Sequence, residues 1–202
     1  HYSKITDFPT QLYLTSPYTP AQLPRGARTR GNIKLYQNNQ DLVITGPRLR
    51  VVYSGCRWNS IVFAMDSADD KFREWVDLLG QFTDQWVRER TKDFKVRRED
   101  DVKVVSAITP ASNPEVYPPE LRCRLATTGR GDEAYSVAAL FDASTGMEME
   151  ASEIMAQGYM VPVMRVGYYK DGDTFGLQFT VLKGEFERPT TNHHAWIIDN
   201  GK

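Results

Sequence analysis

Over residues 174–183 apolar and polar side chains alternate, with Phe175, Leu177, Phe179 and Val181 at every second position. A strand sends successive side chains to opposite faces, so a period of two predicts a β-strand with one buried side. The stretch from Tyr159 to Tyr169 is a second β-type run, and Lys170-Asp171-Gly172-Asp173 lies between the two. Asp-Gly is a strong hairpin-turn signal, so the two runs read as one long hairpin. Tyr168 and Tyr169 are consecutive and must point to opposite faces. On a one-sided sheet, at most one of them belongs to the core.

Shorter β-type runs precede this hairpin: a piece at Leu12–Thr15, LRVVYSG, Ser60–Met65, VKVVSAI, LRCRLAT and YSVAALF. IKLYQNNQDLVITG, with turn-forming residues at Asn38-Asn39-Gln40-Asp41, predicts a further hairpin. A period near 3.6 appears once over any length. Phe72, Trp75, Val76, Leu79, Phe82 and Trp86 recur at spacings of three and four, predicting an amphipathic helix over about 69–91. Asp69 and Asp70 suit its N-terminus and Arg88, Arg90 and Lys92 its C-terminus. A short helix is expected over Glu150–Gln157. Roughly eight short strands with one long helix make a mainly β chain, a small barrel or a sandwich. The helix is expected to pack across the sheet or plug a barrel end.

At 202 residues the chain fits one domain. Residues 1–31 are rich in Pro, Thr and Tyr and read as an extended arm, 32–188 as the barrel with its helix, and 189–202 as a tail. His1 in the first position is expected of a trimmed or replaced N-terminus. No apolar run approaches a membrane span, so no membrane partner is expected. Cys56 and Cys123 belong to no CxxC pair, which speaks against a zinc site and for an intracellular, reducing compartment such as nucleus, cytoplasm or a viral replication site.

The net charge is −1, yet its distribution is uneven. Residues 25–58 hold seven basic side chains against one acid, whereas residues 132–187 hold ten acids against three bases. Such asymmetry leaves room for a local anion-binding surface. The bland alternative is that the two sets pair across the fold.

Enzymatic signatures are missing: HExxH, GxSxG and GxxxxGK[ST] do not occur. His193 and His194 are adjacent in a polar tail, and Asp171-Gly172-Asp173 is better read as a turn than as a calcium loop. Asp66, Asp69, Asp70 and Glu185 would be the acids of a magnesium nuclease site, though nothing in their spacing requires one. Arg130-Gly131-Asp132 is likewise read as a turn.

What remains is a basic and aromatic constellation. Arg48 and Arg50, then Arg122 and Arg124, recur two apart between apolar strand residues, with Arg57 and Trp58 close by and Arg28 and Arg30 in the basic run RGARTRG. Tyr53, Trp58, Tyr168 and Tyr169 lie on the same or adjacent segments. Single-stranded nucleic acid is held by this combination, cations along the phosphates and rings against the bases. The expectation is that these arginines contact phosphates and these aromatics stack, with no cofactor, no metal and no catalytic residue.

The order of elements resembles that of the OB-fold single-stranded-DNA-binding proteins of large DNA viruses, of the African swine fever virus type, and more distantly of T7-like phages. The resemblance lies in KFREWVDLLGQFTDQWVRE, the basic strand ELRCRLAT, the acidic MEASEIMAQG and the final hairpin YMVPVMRVGYY…FGLQFTVLKG, a little over half of the chain. It implies an OB-type barrel that coats single strands of DNA, with RNA as a second possible ligand, during replication, recombination and repair. It also implies contacts with replication proteins or self-association. One feature departs: T7-like members end in a strongly acidic tail, and this chain ends NHHAWIIDNGK. The rival expectation is a structural or interaction β-sandwich, such as a viral coat or accessory module.

Overall fold

The structure is a computed structural model describing residues 1–5, 11–14, 30–38, 40–55, 59–66, 69–94, 96, 98–111, 113–128 and 135–189. Its strands in chain order are β1 (Leu12–Leu14), β2 (Arg30–Gln37), β3 (Gln40–Asp41), β4 (Val43–Thr45), β5 (Leu49–Gly55) and β6 (Ser60–Ala64). After helix α1 (Asp70–Glu89) come β7 (Lys103–Val105), β8 (Ile108–Thr109), β9 (Glu120–Leu125), β10 (Thr127–Thr128) and β11 (Tyr135–Ser136). The last are β12 (Ala139–Asp142), β13 (Glu148–Met149), β14 (Tyr159–Asp171) and β15 (Thr174–Glu187). The expected 159–183 hairpin is present and longer, whereas the expected helix over Glu150–Gln157 is only a 3₁₀ turn, Ala151–Glu153. That segment has one buried apolar residue, Ile154, too few to anchor a helix.

Five strands close on themselves in the order β14–β5–β6–β9–β15, and β15 pairs back to β14. All neighbours are antiparallel except β9 and β15, which run parallel. The result is a mainly β, OB-like barrel with one long helix; the other strands extend the sheet, except β10 and β11, which pair with each other as a separate two-stranded sheet. Alternation fills the interior. Leu121, Cys123 and Leu125 from β9 meet Phe175, Phe179 and Val181 from β15, and Met164, Val166 and Tyr168 from β14. Burial pushes the Cys123 thiol pKa far up, so it stays an inert core side chain.

Helix α1 buries Phe72, Trp75, Val76, Leu79, Thr83 and Val87. The expected stripe shifts at its C-terminal end: Phe82 and Trp86 are only partly buried, and the Arg90 guanidinium covers Trp86 at 3.9 Å. The row 72-76-79-83-87 continues the helical spacing that the aromatics leave. Trp75 Nε1 donates to the Ile5 carbonyl at 3.0 Å, and Tyr2 packs edge-on against Phe72 and Trp75. At the other end, Arg88 chelates Asp84 and donates to the carbonyls of Glu99 and Val102. Among the described residues, no helix is long and apolar enough to cross a membrane.

Tyr168 joins barrel and helix. It is 1% exposed and its hydroxyl donates to the Leu79 carbonyl at 3.1 Å. At the far side, Asp142 closes the turn after β12: its carboxylate accepts from the backbone of Ser144 and Thr145 and from Arg188 Nε at 2.9 Å. These donors, with the Ser144 hydroxyl first, hold its pKa well below the usual carboxylate range.

Two expectations follow. Replacing Tyr168 by Phe removes one buried hydrogen bond and should cost about 1 kcal/mol, while Tyr168→Ala should cost about 3–5 kcal/mol; urea unfolding at constant m-value measures both. A depressed folded pKa contributes stability above the ordinary carboxylate value and loses it as pH falls. The stability of Asp142→Asn, which keeps the turn acceptor and loses the charge, should therefore fall less steeply than wild type below about pH 4 in acid titrations.

Candidate nucleic-acid interface

Barrel closure sends every second residue of each strand outward. On β9, with its odd-numbered residues inside, Arg122 and Arg124 are exposed. Arg124 is in register with Ser60 on β6 and with Thr180 on β15, and Thr180 is in register with Arg165 on β14. Residues directly opposite share a face, so Ser60, Arg124, Thr180 and Arg165 form one row across four strands. Arg122 lies one step along β9, opposite Val62.

The electrostatics of this face differ from those of the barrel ends. Among the described residues, neither Arg122 nor Arg124 has an acidic partner within 4 Å. Arg124 is oriented instead by the Gln178 amide, whose oxygen, turned toward it, accepts from Nε at 2.8 Å and Nη1 at 3.1 Å. Arg165 stands half exposed with Asp41 at 3.7 Å, a loose pair.

Tyr169 completes the face. It is opposite Gly176 on β15, and a Cβ at that glycine would lie 2.3 Å from the tyrosine ring. The ring therefore lies across bare backbone and remains 36% exposed. This close approach requires glycine at 176, and the turn beyond requires it at Gly172, where φ is +62°.

Several residues picked out by the sequence pattern are placed elsewhere. Tyr168 is not a stacking platform: it has the parity of Met164 and Val166 and lies in the core. Arg48 donates through Nε and Nη2 to Glu187 at 2.9 and 2.8 Å, its guanidinium 3.6 Å from the Tyr159 ring centroid. Arg50 chelates Asp66 at 3.1 and 3.2 Å and donates to Gln157 at 3.2 Å, and the Asp66 bond raises its pKa further. These two arginines are tied down by acids distant in sequence, which alternation along β5 does not reveal. They are structural clips, and a phosphate would have to displace a carboxylate to reach them.

Arg28, Arg57 and Trp58 lie outside the described residues. Of Arg30 and Tyr53 only the backbone is described: Arg30 is opposite Asp171, and a bulge at Val52 puts Tyr53 opposite Val62, in the row of Arg122. Arg165, Gln178 and Thr180 were missed as site residues, although their polar positions between buried neighbours are a readable outward-facing signal.

The acids do not gather. Asp66 is held by Arg50, Asp70 pairs with Arg73 at 3.0 Å, and Asp69 precedes α1, its pKa raised by burial and by Asp66. Among the described residues there is no group of three or more His, Cys, Asp or Glu placed to hold a metal.

No protein-family model matches the chain, and no curated protein sequence matches it. Among solved structures, the fold is similar to the crystal structure of gp2.5, a single-stranded DNA binding protein encoded by bacteriophage T7. The TM-score is 0.54 at 10% sequence identity, over 81% of this chain and 98% of that one. At this identity the likeness is one of fold: the two chains share an architecture along nearly the full length of the phage protein.

Proposed function

We propose that the chain binds single-stranded DNA without base-specific contacts along most of its site, through the outer face of β9, β14 and β15. The observation that carries this reading is the exposed pair Arg122 and Arg124, clear of acids among the described residues, in a sheet that also presents Arg165 and the flat ring of Tyr169. Guanidinium groups are suited to phosphates, and a ring laid on backbone offers one face to a base at little entropic cost.

The fold shared with the phage protein supports the same reading, since that protein is described as binding single-stranded DNA. The role that follows is a non-enzymatic one: coating exposed strands in replication, recombination and repair inside a reducing compartment. Affiliation with the large-DNA-virus proteins, and contacts with replication partners, belong to the same proposal.

Fluorescence titration with labelled oligo-dT, against duplex of equal length over a salt series, tests it. Binding should favour the single strand, and log K should fall with log salt by roughly 0.7 per phosphate contacted. The double variant Arg122→Glu/Arg124→Glu should lose at least about tenfold affinity at low salt and show a shallower slope. Tyr169→Ala should cost roughly 1–3 kcal/mol of binding, whereas Tyr168→Phe should leave affinity unchanged. No binding at low salt, or equal affinity for duplex, would sink the proposal.

A further inference from the structure

On the face of β15 opposite the Arg124–Thr180 row, an open cleft of about 500 Å³ separates helix α1 from β7. Leu177 lines it. Leu177 and Thr180 have opposite parities on one unbroken run of β15, so cleft and basic row lie on its two different faces. The volume is within the roughly 300–1,000 Å³ range of sites that enclose a ligand.

Gly80 keeps the cleft open. It stands in mid-helix, where glycine costs stability relative to alanine. Packing does not require it: the nearest atom to an added Cβ is Leu177 Cδ1 at 4.0 Å, ordinary van der Waals contact. Position 80, left bare, is where a side chain from outside can rest against Leu177 and Val76.

The opposite wall is a sheet edge. Among the described residues β7 pairs with β15 alone. The Lys103 amide donates to the Asp173 carbonyl at 3.0 Å, so Lys103 and Val105 turn their backbone toward β15. Val104 between them turns its N–H and C=O the other way. Val105 is also an exposed apolar residue. An extended segment added at this edge exchanges hydrogen bonds with Val104 and sends alternate side chains into the cleft.

Charge selects the occupant. Asp77 and Asp84 line the cleft. Asp84 is chelated by Arg88, but Asp77 has no cation within 4 Å among the described residues. Arg88 also donates to the Glu99 carbonyl at 2.9 Å, which brings the turn Glu99–Asp101, three acids in succession, to the same end. These carboxylates repel a phosphate chain, so nucleic acid is a poor occupant. Two-fold pairing of β7 with a second copy would set like acidic rims against each other. A basic segment with apolar residues at alternate positions suits both floor and rim. The cleft follows α1 from Val76 to Arg88, about 18 Å, which about six extended residues span.

We propose that this cleft docks an extended segment of a partner protein, which pairs with β7, sets an apolar side chain over Gly80 and places a lysine or arginine on Asp77. The basic face on the other side of β15 remains free for a strand at the same time. The proposal stands independently of strand binding.

The probe is a fluorescein-labelled peptide of about eight residues alternating Val and Lys, long enough for the cleft, titrated into the full chain at low salt. A peptide alternating Ser and Lys, of equal charge, should bind at least about tenfold more weakly, since it has no apolar side chain to bury. Gly80→Leu fills the space over Leu177 and should weaken the Val–Lys peptide at least about fivefold, with a melting temperature no lower than wild type. Asp77→Lys should weaken it about tenfold. Both variants should bind oligo-dT as wild type does, and Arg122→Glu/Arg124→Glu should bind the peptide no more weakly. Equal affinity for the Ser–Lys peptide would reduce the contact to charge and overturn the proposal. So would no binding of the Val–Lys peptide, or a Gly80→Leu protein that binds it as wild type does. A wild-type dimer in sedimentation that Gly80→Leu makes monomeric would overturn it too, giving the cleft to a second copy. A wild-type chain that binds the peptide as expected and no oligo-dT would remove the strand reading and leave this one standing.

Discussion

β14 and β15 pair from Tyr159 opposite Glu187 to Asp171 opposite Thr174, and each also bonds to another barrel strand along its far edge. This doubly used hairpin is the constraint on which the remainder depends. It closes the ring, and its register decides which residues of both strands face inward. A slip of one residue would exchange the two faces, exposing Val166 and Tyr168 and burying Arg165 and Tyr169. The register does change once, where Val163 pairs with Lys183 and Met164 with Val181, leaving Leu182 as an extra residue. That bulge lets Gly184 and Phe186 turn inward after Val181, so both ends of a long strand feed the core.

The same register assembles the outer face. Because β9 runs parallel to β15 and pairs Arg124 with Thr180, the basic positions of β9 stand beside the polar positions of the hairpin. Helix α1 supports the arrangement from inside, where the Leu79 carbonyl receives the Tyr168 hydroxyl, and in the turn that follows the helix Phe94 packs edge-on against Phe175. Tyr168 thereby anchors the strand segment that carries Tyr169 on its other side.

The arginines divide by the company that the fold gives them. Arg48, Arg50, Arg88 and Arg188 each meet a carboxylate, and three of those four contacts bridge segments far apart in the chain. Exposed pairs of this kind add little stability singly, but they remove those cations from competition for a phosphate. Arg122 and Arg124 sit in mid-sheet beyond the reach of the described acids, so their charge faces solvent. The uneven charge of the sequence thus resolves partly into pairing across the fold, as between Arg48 and Glu187, and partly into an open basic row.

Local periodicity alone determined a good deal. The period of two around Phe175–Val181, the Asp-Gly turn, the Arg122/Arg124 alternation and the helical stripe at Phe72–Leu79 each follow from geometry within a few residues, and all reappear in the structure. The paired tyrosines had to point opposite ways for the same reason. Which of them is buried, which arginines meet an acid and which polar residues share a cleft depend largely on partners far along the chain, such as Asp142, 46 positions from Arg188, and Glu187, 139 positions from Arg48. A strand's own sequence states that it has two faces. Only barrel closure, through the register of β14 against β15 and of β9 against β15, decides which neighbours stand beside each residue, and therefore which charge remains open.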